Sequence, residues 1–328
     1  MKPIVLVTAG DPSGAGPEIA LKALRNPALA ERCRPVVVGN AAVLERAAAI
    51  VGETRTLRPC AGPREHEEGK INYIDCPAPN GPYEFARVQA SCGEAAFVYV
   101  KRAIELALAG EGDAVVTGPL NKEALNLAGH HYAGHTEIFT ELTNAKGTAM
   151  LLTGGPLRVI HVCTHVSLRE ACDRVKKDRV LRVIQLADEA ARGLGIAAPR
   201  VGVLGLNPHS GEGGLFGREE IEEIAPAIRE AKAQGIDAAG PLPPDTAFLH
   251  CKNGKYDIAV AMYHDQGHIP LKLLDFMGGV NITVGLPIIR TSVDHGTVFG
   301  KAGKGTADES SMIRAIEAAV QFANHRRS

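Results

Sequence analysis

The chain has no tryptophan, and aromatic residues make up only 4% of its 328 residues. Its core must therefore be built from Val, Ile, Leu and Ala, which suits strands buried on both faces under Ala-rich helices. Cysteine is present at Cys33, Cys60, Cys76, Cys92, Cys163, Cys172 and Cys251, but these seven are odd in number and form no C-x-x-C pair. Neither a disulfide framework nor a zinc ribbon is expected, and the usage is that of a reduced compartment. No block of Lys or Arg occurs, and 36 basic residues against 37 acidic ones leave a net charge of −1. Nucleic acid and anionic membranes are thereby excluded as expected partners. No apolar run approaches a membrane span. The stretch Ile4–Val7 after Met1-Lys2-Pro3 is too short for a signal peptide. A soluble cytoplasmic protein is expected.

Apolar residues reach 45% of the chain, enough for one large or two ordinary domains. Short β-branched runs alternate with longer Ala/Leu/Glu/Arg segments. The runs predict strands at Ile4–Val7, Val36–Val38, Ile71–Ile74, Ala114–Val116, Ala149–Leu152, Val159–Val162, Val201–Leu206, Ile258–Met262 and Val280–Val284. Helices are predicted at Glu18–Leu24, Ala41–Ile50, Ala90–Ala109, Lys122–Ala128, Asp178–Leu194, Arg218–Ala233 and Asp308–Asn324. Such alternation gives an α/β fold with mostly parallel strands. The Pro/Gly/Glu-rich segment Leu57–Lys70 reads as a solvated loop.

Three histidines lie directly beyond predicted strands: His165, His209 and His264. In open α/β sheets ligands bind beyond the carboxyl ends of the strands. Three imidazoles there are the protein half of a catalytic divalent-metal site. The plainer reading is that each is a surface or hydrogen-bonded histidine, as expected for His66, His250 and His325. His161 lies within a strand and reads as core or support.

Two glycine-rich turns stand out. Gly10-Asp11-Pro12-Ser13-Gly14-Ala15-Gly16-Pro17-Glu18 opens a helix, where backbone N–H groups favour an anion. It lacks the third glycine of a dinucleotide fingerprint and the Gly-Lys of a P-loop, so a simple tight turn is the competing reading. Asn207-Pro208-His209-Ser210-Gly211-Glu212-Gly213-Gly214 looks like space made for a ligand; a flexible hairpin is the alternative. Lys272, Asn281 and Arg290 follow the third histidine. Arg and Lys are the usual binders of phosphate and carboxylate, and gathered about a metal they suggest a small, doubly anionic substrate.

These runs, together with Gly134-His135-Thr136-Glu137, Pro244-Asp245-Thr246, Met262-Tyr263-His264-Asp265-Gln266-Gly267 and Arg290-Thr291-Ser292-Val293-Asp294-His295-Gly296-Thr297, resemble 4-hydroxythreonine-4-phosphate dehydrogenases along nearly the whole chain. The resemblance implies an isocitrate/isopropylmalate-dehydrogenase-like fold of two α/β/α domains with a cleft, residues 1–135 with 280–328 forming one and 136–279 the other. It implies a homodimer whose active site is completed across the interface. It implies that His165, His209 and His264 hold one divalent metal (Zn, Co, Mn or Mg), and that His135, Thr136, Lys272, Asn281 and Arg290 bind the phosphorylated substrate. NAD is expected along Ser292, Asp294, His295 and Gly296, and Asp245 is the candidate general base or its orienter, with a helix cap as the other reading. The implied chemistry is oxidation of a 3-hydroxyl, then decarboxylation.

One departure bears on the substrate. Vitamin B6-branch enzymes resemble this chain through Thr117-Gly118-Pro119-Leu120 but follow it with His-Lys, where this chain has Asn121-Lys122. With His268, this looks like the side branch acting on 4-phospho-D-threonate or 4-phospho-D-erythronate. The alternatives are 4-phosphohydroxy-L-threonine oxidation in pyridoxal phosphate biosynthesis and, in another class, a non-catalytic protein that binds metal and a phospho-ligand.

Overall fold

The computed structural model describes residues 1–77, 79, 81–275 and 278–327. The β-branched runs form strands because each alternate face finds a helix to bury against. They are β1 (Ile4–Thr8), β2 (Arg34–Gly39), β3 (Leu57–Pro59), β4 (Ile71–Asp75), β5 (Ala114–Thr117), β6 (Ala149–Gly154), β7 (Leu157–His161), β8 (Val201–Leu204), β9 (Ala238–Leu242), β10 (Ile258–Ala261), β11 (Val280–Val284) and β12 (Ile289–Val293). The chain divides into two compact units, Met1–Lys146 with Leu286–Arg327, and Gly147–Gly285. The expected cuts after residues 135 and 279 differ from these. Helix His135–Leu142 goes with the first unit, and β11 goes with the second because it pairs antiparallel with β6.

In the first unit the strand order is β3-β4-β2-β1-β5-β12, all parallel. Every residue of β1, β5 and β12 is buried. In the second unit the order is β11-β6-β7-β10-β8-β9. Here β11, β6 and β7 pair antiparallel, and β7, β10, β8 and β9 pair parallel. Leu152, Val159, Leu204, Ala259 and Leu271 meet in one apolar cluster of this unit. Burying a side chain of that size stabilises by roughly 1.5–3 kcal/mol.

Three strands escape the sequence pattern, each for a local reason. β3 carries Pro59 and β9 carries Pro241. Both are edge strands of their units, where a missing N–H costs no ladder bond. β3 also corrects the reading of Leu57–Lys70 as wholly loop. β12 holds Arg290 at 2% exposure, a charge no strand pattern anticipates. Helix His264–Leu274 was equally hidden, because it contains Gly267 and Pro270. Capping is as its chemistry demands: Asn40, Asn121 and Ser167 side chains accept N–H bonds from the first turns of their helices.

Helix Ala90–Leu108 meets helix Lys122–Leu127 through Gly93, where an added Cβ would overlap the Ala124 carbonyl. Gly93→Ala is therefore expected to destabilise by about 1–3 kcal/mol in chemical denaturation. Gly300→Ala, with open space around its Cβ, is expected to stay within about 0.5 kcal/mol of the parent. Equal midpoints for the two variants would refute the close helix contact.

Candidate active site

In the second unit, β7 and β10 deliver two of the three histidines to one place. His165 lies just past β7, and His264 opens the helix after β10. Their ring centroids are 5.8 Å apart. A cavity of about 590 Å³ is lined there by Thr164, His165, Glu170, Tyr263, His264 and Asp265 among others. His264 Nδ1 lies 2.7 Å from Asp265 Oδ1. A carboxylate accepts, so Nδ1 carries the proton and Nε2 presents its lone pair. His268, one turn on, stacks on His264 at 3.6 Å between centroids. Lys272 follows another turn along the same helix.

His161 lies beneath this pair, fully buried, with its ring 4.8 Å from that of His268. Its Nδ1 donates to the Met150 carbonyl at 3.2 Å, and its Nε2 is buried without a hydrogen-bond partner. Burial and the adjacent His268 push its pKa down to about 3, so the ring is neutral. Gly267 is required here, because a Cβ would overlap His161 Nε2.

His209 arrives differently. Past β8 the chain turns left-handed through His209, Ser210, Gly211, Glu212 and Gly213, with φ between 46° and 78°. Left-handed backbone costs about 1–2 kcal/mol per residue other than glycine. His209 is exposed, and its Nδ1 is 3.9 Å from Asp245 Oδ2. Asp245 sits in the first turn of helix Pro244–Lys252, whose N-cap residue is Pro243. Gly213 of this loop has open space where a Cβ would stand, whereas Gly211 packs closely. A Cβ on Gly211 would lie 2.7 Å from Glu220 Oε2, and one on Gly205 would lie 3.1 Å from Glu220 Oε1.

The donor set suits a divalent ion in part. Two imidazoles ligating one ion at about 2.1 Å have centroids roughly 5–6 Å apart, as His165 and His264 do. Among the described residues, no three His, Cys, Asp or Glu side chains already enclose a metal position. The left-handed loop brings His209 beside Asp245.

In the first unit Arg290 is buried among polar and charged neighbours. Arg290 Nη2 donates to Thr117 Oγ1 at 2.9 Å, and its guanidinium lies 5.6 Å from the centre of the Phe139 ring. Burial lowers the Arg290 pKa to about 9, with Glu137 opposing. His135, the first residue of its helix, has a buried Nε2 without a hydrogen-bond partner. Burial, then the positive charges of Arg290 and Lys122, hold its pKa well below the usual histidine value. Thr136 stands beside His135 at the same helix start. Lys122 and Thr117 were not singled out in the sequence; the Thr117-Gly118-Pro119 run after a strand was the available signal. Asn281, on β11 in the second unit, places Nδ2 3.2 Å from Met150 Sδ.

Of the residues expected to meet NAD, Ser292 is buried within β12 and its hydroxyl donates to the Val293 carbonyl. Asp294, His295 and Gly296 form the loop beyond it, with His295 Nδ1 2.9 Å from the Gly296 carbonyl oxygen. That loop is locked to the first glycine-rich turn. Ala15 N–H donates to Thr297 O at 2.9 Å, and a Cβ on Gly14 would lie 2.7 Å from the same oxygen. The turn's glycines thus serve loop packing, the tight-turn reading. Asn121 is likewise engaged: its Oδ1 accepts from Ala124 N–H at 2.9 Å.

Residues 31–319 match the family described as pyridoxal phosphate biosynthetic protein PdxA. The chain belongs to that family. Two relatives are each called D-threonate 4-phosphate dehydrogenase. The one from Salmonella typhimurium is 50% identical over 324 residues, 97% of this chain and 98% of the relative. The one from Cupriavidus necator is 46% identical over 327 residues, 99% and 98% of the two chains. A solved 4-hydroxythreonine-4-phosphate dehydrogenase from Klebsiella pneumoniae is 48% identical, covers 98% of each chain and superposes with a TM-score of 0.88. A beta-decarboxylating dehydrogenase from Thermococcus kodakarensis, only 13% identical, gives a TM-score of 0.55 over 100% of this chain and 84% of that one. That likeness shows the fold alone, and it bears out the isocitrate/isopropylmalate-dehydrogenase-like class. This PdxA-family chain is a dehydrogenase. Among its described residues no helix is long and apolar enough to cross a membrane.

Asp11 gives a pH test of the first unit. Burial raises its pKa from 3.8 to about 6, against the backbone N–H groups of Ser13 and Asn121. An acid whose folded pKa is raised costs nothing below its unfolded pKa, and the cost grows as pH rises from about 4 to about 6. Asp11→Asn, its neutral isostere, is expected to stabilise by about 2–3 kcal/mol at pH 8 and by little near pH 4. A pH-independent difference in unfolding free energy would show that Asp11 ionises normally.

Proposed function

We propose that this dehydrogenase uses NAD to oxidise the 3-hydroxyl of 4-phospho-D-threonate or 4-phospho-D-erythronate, and that the 3-keto acid then loses CO2 to leave dihydroxyacetone phosphate. The observation that carries the phosphate half is the buried Arg290 beside neutral His135 and Lys122. The choice of acid follows the relatives at 46–50% identity over the full chain. The oxidation of 4-phosphohydroxy-L-threonine is the second reading, favoured by the name of the Klebsiella structure at 48% identity.

The residues divide the work. Arg290, Lys122 and Thr117 hold the phosphate, and His135 and Thr136 add donors at the helix start. A dianion placed there raises the His135 pKa and favours its protonated form. His165, His209 and His264 would hold the divalent ion, Zn or Co being better suited to imidazole than Mg. When bound, that ion supplies Lewis acidity to the substrate oxygens and NAD accepts the hydride. In this reading Lys272 and Asn281 bind the acid, and Asp245 takes the hydroxyl proton or orients His209. With NAD bound, the C3 hydrogen would pass to it as hydride and the hydroxyl proton would go to the base; on loss of CO2 the C1–C2 bonding pair would stay on C2, which would take up a proton. Ser292, Asp294, His295 and Gly296 mark the loop proposed to meet NAD.

A homodimer is part of this reading. The second unit exposes Leu168, Leu215, Leu249, Ile269 and Leu273, the last at 82%. Leu168, Leu215, Ile269 and Leu273 follow His165, His209 and His264 within ten residues in sequence. Large exposed apolar side chains can mark protein interfaces, and a second copy would cover them.

NADH formation with 4-phospho-D-threonate is expected from the Co- or Mn-supplemented protein, with little from 4-phosphohydroxy-L-threonine. His209→Ala should lower kcat/KM by about 100-fold or more. Full turnover by that variant in chelator would end the metal mechanism. Turnover of the amino substrate alone would restore the second reading.

A further inference from the structure

The segment that carries His209 is held by one carboxylate. Glu220 is 4% exposed and accepts three hydrogen bonds from that segment. They come from Leu206 N–H at 2.7 Å, Asn207 N–H at 2.8 Å and Asn207 Nδ2 at 2.9 Å. Glu219 takes the same Asn207 amide at 2.7 Å. Three glycines make room for this network. Gly205 and Gly211 face the Glu220 carboxylate, and Gly217 faces Glu219 Oε2 and the Asn207 side chain. Glu220 begins a π-helical turn, Glu220–Ile224, within a longer helical segment. Such turns shift the register of side chains and cluster at functional sites. The same place is tied to the second histidine: Gln266 Nε2 donates to Gly205 O at 2.8 Å, and its Oε1 accepts from Met262 N–H at 2.7 Å.

We infer that Glu220 is a positioning residue for His209, its carboxylate fixing the root of the left-handed loop that presents this imidazole. The inference rests on the reading of His209 as a metal ligand. A left-handed run including three non-glycine residues is unfavourable alone, so its geometry must be imposed from outside. Backbone bonds within the loop, from Ser210 N–H to Asn207 O and from Phe216 N–H to Gly211 O, close the turn without anchoring it to the sheet. Glu220 supplies that anchor. Charge-assisted bonds from backbone donors are the stronger class, and a carboxylate can accept them all at once. Glutamine can keep the two backbone bonds through its one oxygen, but it loses the charge and turns its NH2 toward Asn207 Nδ2.

The test is Co2+ binding to metal-free protein, read by the visible absorption of the bound ion and by the melting temperature. Glu220→Gln is expected to weaken Co2+ affinity about 10–100-fold, the usual effect of losing a group that orients a ligand. It should also alter the Co2+ spectrum, while the metal-free melting temperature stays near that of the parent. Asn207→Ser, a milder variant that removes only the side-chain donor, should move affinity and spectrum the same way by less. Unchanged affinity and spectrum in a folded Glu220→Gln protein would overturn the inference. So would loss of the melting transition in both variants, which would make the network a purely structural one. His209→Ala separates the two readings. If it binds Co2+ as tightly as the parent, His209 is not a ligand and the underlying site reading fails. If it loses Co2+ while Glu220→Gln does not, only the role of Glu220 fails.

Discussion

A strand buried on both faces can offer chemistry only where it ends. Its interior positions look into helices on either side, and its backbone groups are committed to neighbours. β1, β5, β8 and β10 obey this without exception: every residue in them is buried, and all are apolar except Gly202 and the terminal threonines Thr8 and Thr117. The histidines and the glycine-rich turns consequently lie just beyond strand ends. Arg290 is the exception that defines a site. A guanidinium inside a strand is costly unless it is paired and hydrogen-bonded; Thr117 accepts from Arg290, and the charge of Glu137 opposes the effect of burial.

Glycine does two different jobs in turns that read alike. In the turn after β1, Gly10, Gly14 and Gly16 let it press against the loops that follow β5 and β12, so that the turn becomes part of a rigid floor. In the loop after β8, glycine gives way to a buried carboxylate. The first arrangement buries Asp11 at a cost in charge; the second uses the charge of Glu220 to hold an unfavourable backbone. Both are electrostatic solutions to a loop that carries function and cannot be left mobile.

The chemistry assigned to this PdxA-family dehydrogenase asks for two kinds of site. The phosphate needs fixed positive charge that does not take part in the reaction, and the buried Arg290 with an uncharged His135 nearby is proposed to supply it. The oxidised carbon needs a centre that first favours loss of a proton and then stabilises charge as CO2 leaves, a demand that the divalent ion proposed for His165, His209 and His264 would meet. Asp265 orients the His264 ring, and the left-handed loop fixes the backbone of His209. The side chain of Asn121 caps its own helix, so any effect on substrate choice has to act through the backbone of the turn that it shares with Lys122.

The sequence by itself determined the α/β alternation, the polarity of the strand ends and the histidines placed there, because buried strands and amphipathic helices leave periodicities that neighbours in the chain reveal. Its motifs also determined the family. Tertiary structure alone decided what those periodicities cannot encode. Helix His264–Leu274 forms across Gly267 and Pro270 because His161 demands the glycine and Gln266 ties the helix to two strand ends. β3 and β9 form despite proline because they lie at edges. The burial of Glu220 inside an otherwise charged segment, and the neutral state of His135, arise from residues distant in the chain. Desolvation and charge depend on what surrounds a group in space, and a linear pattern carries no record of that.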